Sequence, residues 1–279
     1  MTRGDALVGD GGHGGERQRR LGYVAVRFGL QRRSELLDLA GAGGLLGFAL
    51  LALVLSSSPA FAQSASDAKL ADASLDYRMT INVMGQQLVV PITRTVAKAG
   101  GMWRIVDVAT LPDMAGGGTA VDTFDVKTGT LLPARRASSS MGGTLELDYH
   151  GSHVKGGMAS MMGSIDIDTM YTGVTLVGDG GAFDLYLSGL ALADGFDETF
   201  AVYSPQMQAL RMTQVQVTGT ETVTTPAGAF ETFVVTTTPQ DGNEAGASTY
   251  YVTQTAPHVM VKATSKLGAQ MGNGTAVME

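Results

Sequence analysis

Few residues in this chain have the type and spacing to do chemistry. His150 and His153 flank Gly151-Ser152, and two imidazoles meeting across such a turn could grip a metal ion. A zinc site takes three or four protein ligands. None completes this one: the chain has no cysteine, His258 lies on a distant segment, and a Gly151-Ser152 turn would set Asp148 opposite Lys155. The pair therefore reads as a polar hairpin tip. Met158, Met161 and Met162 carry soft thioethers suited to Cu(I). With 15 methionines along the chain, however, they fit better as part of an adaptable apolar ligand surface.

Asp166 and Asp168 share one face of an extended segment. A calcium ion usually takes 6 to 8 oxygens, and no glycine-spaced acidic loop supplies the rest, so a solvated face is expected. No serine sits in a G-x-S-x-G elbow, and Gly116-Gly117-Gly118-Thr119 lacks the Lys-Ser/Thr ending of a phosphate-binding loop. No catalytic, metal-binding or cofactor-binding residue is assigned, and no cofactor is implied. The expectation is a protein that is not an enzyme.

The elements that would position these groups are strands. Short segments rich in Val, Thr, Ile, Leu and Tyr alternate with period two and are separated by Gly, Asp, Asn and Pro every eight to twelve residues. That pattern marks an antiparallel all-β meander. It places strands at Leu75–Met84, Gln87–Val96, Met102–Ala109, Thr119–Val126, Leu131–Ser138, Thr144–His150, His153–Gly157, Phe183–Leu187, Glu198–Tyr203, Ala209–Val217, Thr220–Thr225, Phe230–Thr238, Ser248–Gln254, His258–Lys266 and Thr275–Met278.

Pro91 lacks a ladder N–H and predicts an edge or a bulge. Lys127-Thr128-Gly129-Thr130 predicts a turn with Gly129 at positive φ. Gly156 to Gly181 is expected as a long loop or crossover at which two sub-sheets could meet, near 156–182. Only Leu190 to Gly195 invites a helical turn, with Asp194-Gly195 as its stop.

The start of the chain reads as an export signal. Arg27, Arg32 and Arg33 precede an apolar run from Leu39 to Leu55, and Ala60-Phe61-Ala62 offers small residues at the −3 and −1 subsites of a signal peptidase. Cleavage is expected before Gln63, after a lead of unusual length. The run is diluted by Gly41, Gly43, Gly44 and Gly47 and falls short of the ~20 apolar residues of a membrane span. Without a cysteine after the cleavage site there is no lipid anchor. Residues 63–74 would be a flexible lead and 75–279 the β-meander domain.

Removal of residues 1–62 lowers Lys plus Arg from 19 to 12 and Asp plus Glu from 26 to 21, for a net charge of −9. Nucleic acid and anionic membrane surfaces both demand clustered cations, so neither is an expected partner. In an oxidising compartment a chain without disulfides must rely on its own core. The expected setting is periplasmic or secreted.

Three stretches carry a resemblance. Gly219-Thr220-Glu221-Thr222-Val223 leads into Thr225-Pro226-Ala227-Gly228-Ala229-Phe230, followed by Tyr250-Tyr251-Val252 and Pro257-His258-Val259. Leu190-Ala191-Leu192 with Gly195-Phe196, and Thr128-Gly129-Thr130-Leu131-Leu132-Pro133, complete the set. Together they resemble the exported bacterial proteins of domain of unknown function family 3108, over about residues 75–279. The resemblance implies an extracytoplasmic β meander, a curved half-barrel or open barrel-like sheet. In its hairpin, Pro226 presets φ and Phe230 is expected to return into the core.

The functional expectation is a concave sheet that binds an apolar or amphipathic ligand such as lipid. The alternative is a structural or protein-interaction module of the cell envelope, pairing with an envelope protein partner.

Overall fold

The structure is a computed structural model that describes residues 65–83, 86–113, 117–267 and 275–279. The expected signal peptide and its cleavage residues Ala60, Ala62 and Gln63 lie outside the described residues. The protein is all-β. Its strands are β1 (Ala73–Val83), β2 (Gln86–Ala99), β3 (Met102–Thr110), β4 (Thr119–Lys127), β5 (Pro133–Ser140), β6 (Gly143–His150), β7 (His153–Ser160), β8 (Gly163–Met170), β9 (Leu176–Val177), β10 (Asp197–Ser204), β11 (Ala209–Thr225), β12 (Gly228–Pro239), β13 (Ser248–Thr253), β14 (Met260–Lys266) and β15 (Thr275–Met278). One helix, α1 (Gly181–Gly189), lies between β9 and β10. Among the described residues no helix is long and apolar enough to cross a membrane.

All fifteen strands form one sheet in the order β8-β7-β6-β5-β4-β3-β2-β1-β15-β14-β13-β12-β11-β10-β9. Pairing is antiparallel between chain neighbours, β1 zips to β15, and β9 lies parallel to β10. Laid flat, such a sheet would be roughly 65 Å wide. Its two edge strands, however, are β8 and β9, joined by residues 171–175, which span at most about 20 Å. The sheet must therefore roll until its edges meet.

The roll is an overlap. On β10, Phe200 and Val202 pack into the main core around α1, whereas Ala201 and Tyr203 pack with Leu145, Leu147, Tyr149, Val154 and Ile167 of β6 to β8. Alternate residues of one strand thus face two different layers. The β9–β10 edge is tucked beneath β6–β8, between that outer flap and α1. A row of paired residues shows the concave face directly: Val96, Ile105, Phe124, Arg136, Leu147, Gly156 and Ile167 lie side by side from β2 to β8.

The helix fills the interior. All nine of its residues are buried; Phe183 meets Tyr250 edge-on at 6.1 Å and Tyr186 meets Phe200 at 5.4 Å. Glycines permit this close fit. Gly180 has φ +55°, and a Cβ there would lie 2.8 Å from Phe124 Cζ, while one on Gly189 would lie 2.3 Å from Leu131 Cδ1.

Several expectations are corrected here. Phe183–Leu187, read as a strand, is the middle of α1, and Leu190–Gly195, read as a helical turn, has no helix. A helix buried all round shows no polar face, and the alternation Phe183-Asp184-Leu185 mimics period two. The expected loop from Gly156 to Gly181 instead contains the end of β7, all of β8 and β9, and the start of α1. Ile165 and Ile167 alternate with Asp166 and Asp168 to make β8, despite the surrounding glycines. The sheet is continuous, with no division into two sub-sheets near 156–182.

Residues 65–70 do not trail from the sheet. Ala65 is 1% exposed within the core, the Ser66 N–H donates to the Gly189 carbonyl, and the Trp103 indole donates to Asp67. Other expectations match. The Gly151-Ser152 turn sets His150 opposite His153 and Asp148 opposite Lys155, and Gly129 has φ +80°. Pro91 lies just beyond the point where β2 stops pairing with β3, so β2 is locally an edge there.

Candidate functional site: an apolar groove beneath a hairpin arm

Two arginines on the concave face tie the interior segment to the sheet. Arg94 follows Val90 and Ile92 on the inward register of β2, where a cation needs partners. Its Nε and Nη2 donate to both oxygens of Asp107 on β3, at 2.6 and 2.7 Å, and its Nη1 donates to Asp184 of α1 at 2.8 Å. Arg136 of β5 repeats the arrangement: Nε and Nη2 donate to Asp122 of β4, and Nη1 donates to Asp179, which lies between β9 and α1. Each guanidinium also lies over an aromatic ring, Arg94 at 5.5 Å from that of Tyr77 and Arg136 at 5.0 Å from that of Phe124.

Both trios hold two carboxylates to one guanidinium. Burial raises the pKa of Asp184 and of Asp179 above the ordinary aspartate value, against the pull of their arginines. Around Asp179 the surroundings are tight. Its Oδ1 and the hydroxyls of Tyr149 and Tyr203 are enclosed with no protein partner among the described residues, and burial pushes the Tyr203 hydroxyl up to about 12.

A large hollow lies elsewhere. β11 and β12 continue past their neighbours as a two-stranded arm. β10 pairs with β11 only as far as Gln216, β13 reaches β12 only from Thr232, and a bulge at Thr218 breaks the register. The tip, Thr225-Pro226-Ala227-Gly228, overhangs an open groove of about 850 Å³. Leu75, Tyr77, Phe230, Pro257, Met260 and Val261 are among its lining residues, and Asp76, Arg78 and Glu279 bring charge to it. Phe230, expected in the core, is one of the groove residues. It has the opposite strand parity to Phe233 and Val235, which face inward.

A smaller chamber of about 60 Å³ adjoins the groove. Leu75, Tyr77, Pro257, Val259 and Met260 line both hollows, and Arg94, Asp184, Ser188 and His258 line the chamber. The Tyr77 hydroxyl donates to the Met260 carbonyl at 2.6 Å, and His258 Nδ1 donates to the Ser188 carbonyl at 3.2 Å. Burial lowers the His258 pKa, with Lys69 adding to the effect.

The residues singled out from the sequence lie away from this groove. Met158 packs partly into the second core cluster, whereas Met161 and Met162, 94% and 98% exposed, occupy the β7–β8 turn. His153 Nε2 meets Asp168 at 2.5 Å, and Lys155 reaches the same carboxylate at 3.6 Å. Among the described residues no three His, Asp or Glu side chains gather as metal ligands.

Sequence reasoning missed Arg94, Arg136, Asp179 and Asp184. A signal was present for Arg94: a charge in phase with Val90, Ile92 and Val96 on a face that alternation marks as buried.

The arm and part of the groove wall belong to the stretch Gly219 to Pro257, which carries part of the sequence resemblance. The family pattern for DUF3108, a protein of unknown function, matches residues 74–279. The chain belongs to the DUF3108 family. No relative was found among curated proteins. Among solved structures, this DUF3108 chain is similar to the crystal structure of a β-barrel-like protein of domain of unknown function DUF1849 from Brucella abortus. The similarity has 11% identity and a TM-score of 0.45, and covers 76% of this chain and 96% of the other.

Proposed function

We propose that this protein is a non-enzymatic binding protein of the bacterial cell envelope. After export through a cleaved signal peptide it would act in the periplasm or outside the cell, holding an apolar or amphipathic ligand such as a lipid. The ligand would lie in the groove beneath the β11–β12 arm rather than on the concave face, because α1 and its packing already occupy that face. The observation that carries the reading is the groove itself: its ~850 Å³ falls within the ~300–1,000 Å³ of small-molecule sites, which are mostly apolar with a few polar groups.

The test is displacement of an environment-sensitive apolar dye by lipids from the organism's own envelope, together with mass spectrometry of material extracted from protein purified from its periplasm. Phe230→Asp places a charge among the apolar lining residues and is expected to weaken dye binding about tenfold or more. Protein that is repeatedly empty and does not bind the dye would sink the proposal.

A second reading, a protein-interaction module, rests on the outer edge of the sheet. Strand β8 pairs only with β7, leaving a row of backbone groups open. Exposed Met161, Met162, Ile165 and Met170 accompany it. Cross-linking from Ser164 to a single stoichiometric envelope protein, with no bound lipid, would favour this reading over the first.

A further inference from the structure

The groove and its inner chamber have a charge pattern that selects among amphipathic ligands. Four acidic side chains, Asp72, Asp76, Asp184 and Glu279, line the two hollows against two basic ones, Arg78 and Arg94. Arg94 is already committed, with three of its donor groups directed to Asp107 and Asp184. At the chamber, therefore, the guanidinium is fully engaged, whereas Asp184 has a protein donor at only one of its two oxygens among the described residues.

Asp184 is the decisive group. Its side chain is 10% exposed and lines the chamber. Oδ2 accepts from Arg94, whereas no donor reaches Oδ1 among the described residues. Two further features of the chamber fit a ligand that donates. Ser188 accepts from His258 at its carbonyl while its hydroxyl is spent on the Asp184 carbonyl at 3.0 Å. Burial also holds His258 toward its neutral form, so it adds no cation to attract an anion. Leu75, Tyr77 and Met260 form a shared wall of the chamber and of the groove, which Phe230 lines beneath the arm.

We propose that the ligand of this groove is an amphiphile with a cationic, hydrogen-donating head, such as a primary ammonium. Its head would sit in the chamber against Asp184 Oδ1, and its tail would lie along the groove under Pro226 and Phe230. The head would give Asp184 Oδ1 a charge-assisted partner in place of solvent, and it would balance the two carboxylates that share one guanidinium in the Arg94, Asp107 and Asp184 trio. An anionic head would instead face those carboxylates in a poorly solvated hollow, and it would have to compete with them for Arg94. At the outer rim Asp76 and Glu279 flank Arg78, so the entrance favours a cation as well. This assignment rests on the groove reading above and adds a head-group class to it.

The experiment uses three probes with the same twelve-carbon tail: dodecylamine, dodecanoate and dodecyl maltoside. Each is titrated below its micelle concentration into the protein at pH 7 by calorimetry. Dodecylamine is expected to bind at least tenfold more tightly than dodecanoate, with the maltoside between them. Equal or tighter binding of dodecanoate overturns the head-group assignment while leaving the groove reading intact. If none of the three binds, the groove reading itself falls, and the assignment with it.

Asp184→Asn is expected to bring the ratio of dodecylamine to dodecanoate affinity to within about threefold of unity, and circular dichroism would establish that the variant is folded. Should it fail to fold, Asp76→Asn on the exposed rim gives a second reading. Its expected effect is a two- to threefold fall in the same ratio, and an unchanged ratio in a folded variant counts against the proposal.

Discussion

Arg94 and Arg136 each hold a wall aspartate with two parallel hydrogen bonds and a second aspartate, from the interior segment, with a third. Arg94 and Asp184 line a hollow that shares wall residues with the groove. The Arg136 trio lies where the β6–β8 flap overlaps the β9–β10 edge, with Tyr149 and Tyr203 packed alongside at 6.4 Å from each other. The same ionic device therefore serves two ends. Where the sheet overlaps itself it clamps two layers and encloses Asp179 Oδ1, and where the sheet opens it borders a hollow lined by Arg94 and Asp184. Surroundings, more than the residues themselves, set the role.

The largest expected effect that could break this comparison comes from removing each arginine. Arg136→Ala strands the half-buried Asp122 and Asp179, whose enclosed Oδ1 already lacks a protein partner, and is expected to cost about 3–5 kcal/mol in urea unfolding. Arg94→Ala strands Asp107 and Asp184, the latter beside a hollow that water can enter, and about 2 kcal/mol is expected. Equal losses would mean that the two trios are energetically alike and that the hollow offers no relief.

A pH series sharpens the contrast at the seam. Burial raises the folded-state pKa of Asp179 above its ordinary 3.8. The folded protein therefore holds that proton more strongly than the unfolded chain, so this contribution to stability is fully present below about 3.8 and is lost as pH rises through the raised value. In Asp179→Asn the contribution has no pH dependence. The stability of the wild type relative to this variant is expected to fall as pH rises from 4, and a difference that stays flat between pH 4 and 7 would contradict the assignment.

The smallest effect is expected far from both trios. Met161→Gln with Met162→Gln changes the exposed β7–β8 turn. Thermal unfolding is expected to stay within about 0.5 kcal/mol of the wild type. Affinity for the apolar dye is expected to be unchanged, because neither residue lines the groove. A clear loss of dye binding would shift attention from the arm to the methionine turn.

Local pattern carried much of the fold. Alternation of side chains located most strands to within two or three residues, since each strand of the meander pairs with its chain neighbour and buries one face. Turn chemistry placed Gly129 at positive φ and set the register across Gly151-Ser152 correctly. The helix escaped because its nine residues are buried on every side, so the polar stripe that marks a surface helix is missing. Strand β8 escaped because glycines and methionines flank a short alternating run.

By itself, then, the sequence determined an acidic, cysteine-free β meander with an N-terminal segment that reads as an export signal. Composition and period-two alternation are local properties, and they survive in a one-dimensional reading. The tertiary structure alone decided that the sheet rolls over its own edge, that Arg94 and Arg136 point inward to Asp184 and Asp179, and that the arm overhangs a groove. Those pairings join residues about 40 to 90 positions apart in the chain, and strand parity says only which face a side chain takes, not what waits for it there.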